Sequence, residues 1–207
     1  MIRLLLSDVR QLEDPEVFAR YYDNASSERR AAADKFRFAK DRNLSIGAAA
    51  LLDYGLSAFG LREKDMTYGR NAYGKPFFLN APDIHFNISH SGSKVAVALS
   101  DREVGCDIEQ IADIEMEVGE RFFCRDEYDE MMSETDFEAR RKAFYRLWTL
   151  KESYMKAAGL GMSLPLASFS VKGGIPGFAF ITPPSFDGYA TALCYNPECG
   201  IPEVCEQ

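Results

Sequence analysis

Histidine appears twice and tryptophan once in the 207 residues, and no apolar run approaches the roughly 18 residues that a membrane-spanning helix needs. The opening stretch MIRLLLSDVR has neither a long apolar segment nor a small-residue cleavage site, so it does not read as a signal peptide. A cytoplasmic protein that makes no use of a membrane is expected. The five cysteines (Cys106, Cys124, Cys194, Cys199 and Cys205) are odd in number and lack a Cys-x-x-Cys pair or any His/Cys metal spacing. That pattern indicates neither a disulfide framework nor a zinc site. Positive charge is scarce as well, with 24 Lys and Arg against 32 Asp and Glu and a net charge of −8. Nucleic acid is thereby disfavoured as a partner, because the phosphate backbone dominates such binding. Any phosphate ligand must be held by a local basic cluster.

The apolar content of 46%, with 13% aromatic residues, is enough for a sizeable core. MIRLLLSDV reads as a strand, followed by a helix and a loop. Leu44, Ala48, Leu51, Leu52, Leu56 and Phe59 then share one face of a helix over residues 41–59, with Gly60 at a left-handed cap. From residue 84 to 109 the period becomes two, and IHFNI, KVAVALS and EVGCDIE predict a three-stranded meander. A helix is expected over 115–132. Another should start at the capping box Thr135-x-x-Glu138 and carry Phe137, Phe144, Trp148 and Met155 near one stripe, with Gly159 and Gly161 ending it. ASFSVKG, GFAFITP and YATALCY read as closing strands. The order implies an α+β fold of two similar halves, residues 1–103 and 104–207.

Three stretches carry chemistry. In VGCDIE (104–109), Asp107 and Glu109 lie two apart on a strand and point to one side, where crowding calls for a cation such as magnesium. A bare Asp-x-Glu is more often a solvated strand edge. In WTLKESYMK (148–156), Trp148, Glu152 and Lys156 are spaced by four. A plain surface ion pair gives that spacing too, but Trp148 on the same stripe argues for a partly buried face. In FNISHSGS (86–93), Ser89, His90 and backbone N–H groups suit a phosphate, and Gly92 permits close approach. Upstream lie Lys75, in the turn YGKP, and a basic run that includes Arg29, Arg30, Lys35, Arg37, Lys40 and Arg42, by composition an ordinary solvated helix face. Together these groups suit metal-assisted cleavage of a pyrophosphate.

YGKP (73–76), FNISHSG (86–92), VGCDIE (104–109), RFFCRDEY (121–128) and LWTLKESYMKAAGLGMSLPLASFSV (147–171) resemble, in order and spacing, the 4'-phosphopantetheinyl transferases of the long single-chain type. The resemblance covers roughly residues 27–171. It implies transfer of 4'-phosphopantetheine from coenzyme A to a serine of an apo acyl, peptidyl or aryl carrier protein, serving fatty-acid, polyketide or nonribosomal peptide synthesis. It further implies two pseudo-symmetric subdomains, with magnesium held by Asp107, Glu109 and Glu152. Lys75, Ser89 and His90 would hold coenzyme phosphates, and Lys156 would neutralise the departing adenosine 3',5'-bisphosphate. Where the family commonly places a basic residue for the 3'-phosphate this chain has Glu28, which leaves that contact to Arg29, Arg42 or another upstream cation. Glu152 is the expected base, with Glu109 and Glu127 in reserve, and Asp107 completes the catalytic set. An acidic carrier is expected to dock near Arg121, Phe122, Phe123 and Arg125. Because one chain supplies both halves, a monomer is expected. A catalytically silent carrier-binding module and a different metal-dependent phosphotransferase are the competing readings.

Overall fold

The computed structural model describes all 207 residues. Strand β1 (Ile2–Asp8) is buried along nearly its whole length, as its run of leucines requires. Helix α1 (Pro15–Asn24) begins where the Asp14 carboxylate accepts the N–H groups of Glu16 and Val17 at 2.8 and 3.3 Å. Ser26 caps α2 (Ser27–Ala33) in the same manner. Helix α3 (Ala39–Ser57) follows, and Gly60 beyond it takes the left-handed conformation that its sequence position predicted, with φ +69°. The hairpin β2 (Tyr68–Arg70) and β3 (Pro76–Phe78) leads to β4 (His85–Ser91), β5 (Lys94–Ser100) and β6 (Val104–Gln110). Helices α4 (Glu117–Phe122), α5 (Arg125–Met132) and α6 (Phe137–Ala158) precede β7 (Ala179–Ile181), β8 (Tyr189–Tyr195) and β9 (Glu203–Glu206). None of the helices is long and apolar enough to cross a membrane.

The strands form two main sheets, ordered β4-β5-β1-β9 and β6-β8-β7. The apolar alternation of β1 and β5 sends Leu5, Val97 and Leu99 toward α3, where they join Ile46, Leu52 and Leu56. The opposite face, with Leu4, Leu6, Ala96 and Ala98, meets Cys106, Ile108 and Leu193 of the second sheet. Helix α6 covers the outer side of that sheet, so the layers run helix, sheet, sheet, helix. The expected α+β class is what the chain adopts. Contact between α6 and β6 is backbone to backbone: a Cβ at Gly105 would collide with the Ser153 carbonyl and the Ala157 amide.

Several expectations are corrected. The meander is not formed, because β6 leaves β4 and β5 and pairs antiparallel with β8. The helix expected over 115–132 is broken at Phe123–Cys124, with Phe123 turned into a small core beside Met131, Phe144 and Leu147. Asp136, not Thr135, caps α6, accepting Ala139 N–H at 2.8 Å, and Phe137 is exposed. ASFSVKG forms no strand. Strand β9, not anticipated, pairs parallel to β1, so a segment from the second half completes the first sheet.

A fully buried ion pair locks α6 in place. The Lys151 ammonium contacts Glu127 at 2.6 Å and also donates to the Phe169 carbonyl. Glu127 in turn accepts the N–H groups of Cys124 and Val171 at 2.9 and 2.8 Å. Lys151→Ala should leave that carboxylate buried without its cation, a loss of about 3–5 kcal/mol. Urea unfolding of the variant should show a correspondingly lower midpoint.

Candidate active site

The site lies along the seam where β4 and β6, each the edge of its own sheet, run side by side without a backbone ladder. The seam is stitched by side chains. Alternation along β4 points Asn87, Ser89 and Ser91 at β6, where they accept the N–H groups of Cys106, Ile108 and Gln110 at 2.9, 3.4 and 3.1 Å. Each serine also donates to a carboxylate of β6: Ser89 Oγ to Asp107 Oδ1 and Ser91 Oγ to Glu109 Oε2, both at 2.7 Å. Of these three β4 side chains, only Ser89 is among the expected site residues. The period-two pattern Asn-x-Ser-x-Ser on a strand was the available signal.

Asp107 is 1% exposed. Its Oδ1 also accepts from Lys156 Nζ at 2.6 Å, and Lys156 donates to Ser89 Oγ at 3.0 Å. Its Oδ2 is buried with no hydrogen-bond partner. Burial, followed by the Asp107 charge, holds the Glu109 carboxyl above its ordinary range. Glu152 is likewise raised, by burial first and then by Asp107 and Glu109, with Lys156 acting in the opposite sense. Burial works to lower the Lys156 ammonium but is outweighed by the charge and hydrogen bond of Asp107, so Lys156 stays protonated. Trp148, one turn before Glu152, is half-buried against Phe122 and Phe144, which anchors this stripe of α6.

Asp107 thus raises the cost of charge on Glu109, and both raise it on Glu152, with the Lys156 ammonium among them. No three of the His, Cys, Asp and Glu side chains close on a single point ready to enclose an ion. The donor chemistry nevertheless fits a hard divalent cation: oxygen ligands only, excess negative charge, and an orphaned buried oxygen on Asp107.

The phosphate candidates are dispersed. Lys75 is 14% exposed at its side chain and its ammonium contacts Glu103 at 2.5 Å and the Ala157 carbonyl at 2.9 Å. Asn71 donates to the Gly159 carbonyl at 2.8 Å. The 71–75 turn thus clasps the C-terminal end of α6, where a cation also meets the helix dipole favourably. His85, 3.3 Å from Glu103, completes the clasp. Hydrogen bonding from His85 and then Lys75 holds the Glu103 carboxyl down at about 2, against burial. A depressed acid stabilises the fold above its unfolded pKa and ceases to do so as pH falls through its folded one. Acid unfolding between about pH 4.5 and 2 should therefore be shallower in Glu103→Gln than in the wild type, as followed by circular dichroism.

Arg29 stacks on Tyr68 at 4.9 Å and lies 3.6 Å from the buried Glu63, which also accepts from Ser26 and Tyr68. It belongs to a buried polar cluster whose hydrogen-bonded partners lie up to 39 residues apart in the chain. His90 is exposed and shares its side of β4 with Phe86 and Ile88, facing α3. Surrounding protein atoms, then the Lys156 charge, hold its ring below the usual histidine range. The space beside Gly92 is taken by the Tyr189 hydroxyl and Gln110, so that glycine admits a side chain of the same protein. Arg42 lines a cavity of about 640 Å³ with Val9, Leu12, Phe18, Lys40 and Gln110, and its Nε is buried without a partner. Gln110 directly follows Glu109, which brings this cavity to the end of the carboxylate strand. Of the expected docking residues, Phe123 is core, Phe122 is half-buried under Arg121, and Arg125 is exposed and pairs with Asp129.

Two family models match: the 4'-phosphopantetheinyl transferase superfamily over residues 103–194, and the N-terminal region of 4'-phosphopantetheinyl transferase over residues 14–102. The chain is 37% identical over 170 residues to the 4'-phosphopantetheinyl transferase gsp of Aneurinibacillus migulanus, covering 82% of this chain and 70% of that protein. It is 36% identical over 154 residues to Sfp of Bacillus subtilis strain 168, covering 74% of this chain and 68% of that one. Among solved structures, the holo-[acyl-carrier-protein] synthase of Thermotoga maritima aligns with a TM-score of 0.35 at 21% identity, over 44% of this chain and 61% of the other.

Proposed function

The chain belongs to the 4'-phosphopantetheinyl transferase family, and from that premise we propose that its β4–β6 seam is where phosphopantetheine passes from coenzyme A to the serine of an apo carrier protein. The observation that carries the assignment to the seam is the unpartnered buried oxygen on Asp107, whose other oxygen is held by Lys156, with Glu109 and Glu152 coupled to it by charge. Magnesium, held there by Asp107, Glu109 and Glu152, would offset charge on the pyrophosphate oxygens.

The remaining work falls to side chains. Glu152, whose carboxyl burial holds above its ordinary range, is suited in its ionised form to take the proton of the attacking serine hydroxyl. Lys156, kept charged by Asp107, is suited to stabilise the departing adenosine 3',5'-bisphosphate. Arg42, which lines the cavity, and His90, at the exposed end of β4, support a phosphate-holding role for the coenzyme. Ser89 can offer its hydroxyl only by sharing it with Asp107. Lys75 and Arg29 meet coenzyme phosphates in this reading by giving up or sharing their ion pairs with Glu103 and Glu63. The carrier docks at Arg121, Phe122 and Arg125, where the two exposed arginines beside a half-buried aromatic ring offer contacts to an acidic partner.

The reading is tested by incubation with coenzyme A, magnesium and a panel of apo carrier proteins, followed by intact mass and nucleotide analysis. A carrier gaining one phosphopantetheine, with matching release of adenosine 3',5'-bisphosphate, supports it. Unmodified carriers across the panel would overturn it, and transfer that persists with a chelator would remove the metal from it.

A further inference from the structure

We propose that Ser91 is a positioning residue for Glu109, fixing that carboxylate for the divalent cation; the inference rests on the metal reading given above. The Ser91 hydroxyl is held at both ends, accepting Gln110 N–H at 3.1 Å and donating to Glu109 Oε2 at 2.7 Å. A hydroxyl has one proton, so its direction is set by the backbone donor behind it and points at the carboxylate. The same arrangement occurs two residues back, where Ser89 accepts Ile108 N–H and donates to Asp107. The pairing thus repeats in step along both strands, one serine for each carboxylate.

The two carboxylates differ in what else restrains them. Asp107 is almost wholly buried and is gripped a second time by Lys156. Glu109 has a longer side chain, sits near the open end of β6 and takes its side-chain hydrogen bond from Ser91 alone. Without that bond its carboxylate is free to turn toward water, so the effect of losing Ser91 is not masked by another contact. Loss of such a partner behind a metal ligand typically weakens metal affinity by about 10–100-fold.

The test is Mn²⁺ binding by the full-length protein, read by electron paramagnetic resonance, for wild type, Ser91→Ala, Ser91→Thr, Ser91→Val and Glu109→Gln. Transfer activity is measured in parallel against magnesium concentration. Ser91→Ala and Ser91→Val should bind Mn²⁺ about 10-fold more weakly or worse, and should need correspondingly more magnesium for half-maximal transfer. Their kcat at saturating metal should stay near that of wild type. Ser91→Thr, which keeps the hydroxyl, should bind as wild type. The Thr and Val variants have nearly the same shape, so their comparison decides the matter even if Ser91→Ala folds poorly. Equal Mn²⁺ affinity for the Thr and Val variants, with Glu109→Gln still impaired, would overturn the role of Ser91 and leave the metal reading standing. If Glu109→Gln also bound as wild type, or if the wild type bound no Mn²⁺, the metal reading itself would fall and this inference with it.

Discussion

Glu152→Gln should abolish phosphopantetheine transfer while leaving the metal-free protein at least as stable as the wild type. Glutamine keeps the volume and one oxygen, but it carries no charge for a divalent cation and cannot accept a proton at neutral pH. Loss of the base alone is worth about 10²–10⁴-fold in turnover, and impaired metal binding adds to that. The stability half follows from the sign of the shift. The folded protein holds the Glu152 carboxyl above its ordinary range, so its ionised form is disfavoured by folding. Removing that charge relieves repulsion from Asp107 and Glu109, and the thermal midpoint should hold or rise. Magnesium-dependent kcat and thermal unfolding of the two proteins, measured side by side, check both halves. Near-normal turnover at saturating magnesium would move both roles away from Glu152. Glu127 could not inherit them, since it is wholly buried and engaged by Lys151.

Gly105→Ala should be among the most damaging substitutions at this seam, though it adds one methyl group and touches no charged side chain. That methyl would be driven into the Ser153 carbonyl and the Ala157 backbone, whose Cα is 3.0 Å away. A flexible side chain can turn aside from such a contact, whereas helix backbone can yield only by shifting α6 as a body. Overpacking typically costs about 1–3 kcal/mol and more when backbone is the obstacle. Because Glu152 and Lys156 ride on α6 and Asp107 and Glu109 on β6, any shift that relieves the clash also separates the reacting groups. Urea unfolding should show the loss of stability, and activity at a temperature where the variant remains folded should still be reduced. Wild-type activity in a folded Gly105→Ala would contradict the rigid contact.

The local patterns were legible in the sequence, and the way the halves meet was not. Asp107 and Glu109 share a side of β6 because strands alternate, and Glu152 and Lys156 share a side of α6 because four residues nearly complete a turn. Both periodicities are properties of short segments. The departure of β6 from β4 and β5 is different: residues 101–103 look like any hairpin turn, yet the outward N–H groups of β6 are satisfied by Asn87, Ser89 and Ser91 side chains. Nothing local distinguishes that from a ladder. The sequence shows Lys75 only as a cation in a turn, because its partners, Glu103 and the Ala157 carbonyl, lie 28 and 82 residues away in the chain. Phe122 and Phe123 are adjacent and chemically identical, and only the break between α4 and α5 decides which one enters the core.

The stitched seam also bears on how the protein breathes. In a strand ladder an amide is freed when neighbouring strands part, which tends to expose many amides together. The amides of Cys106, Ile108 and Gln110 are instead covered one at a time, each by a separate side chain that can rotate away alone. Hydrogen exchange at these three positions should therefore proceed by small, independent openings, and be graded from the buried Asn87 contact outward to the exposed Gln110. The two sheets can then loosen along their common edge from its open end, beside Glu109, while the cores on either side remain closed.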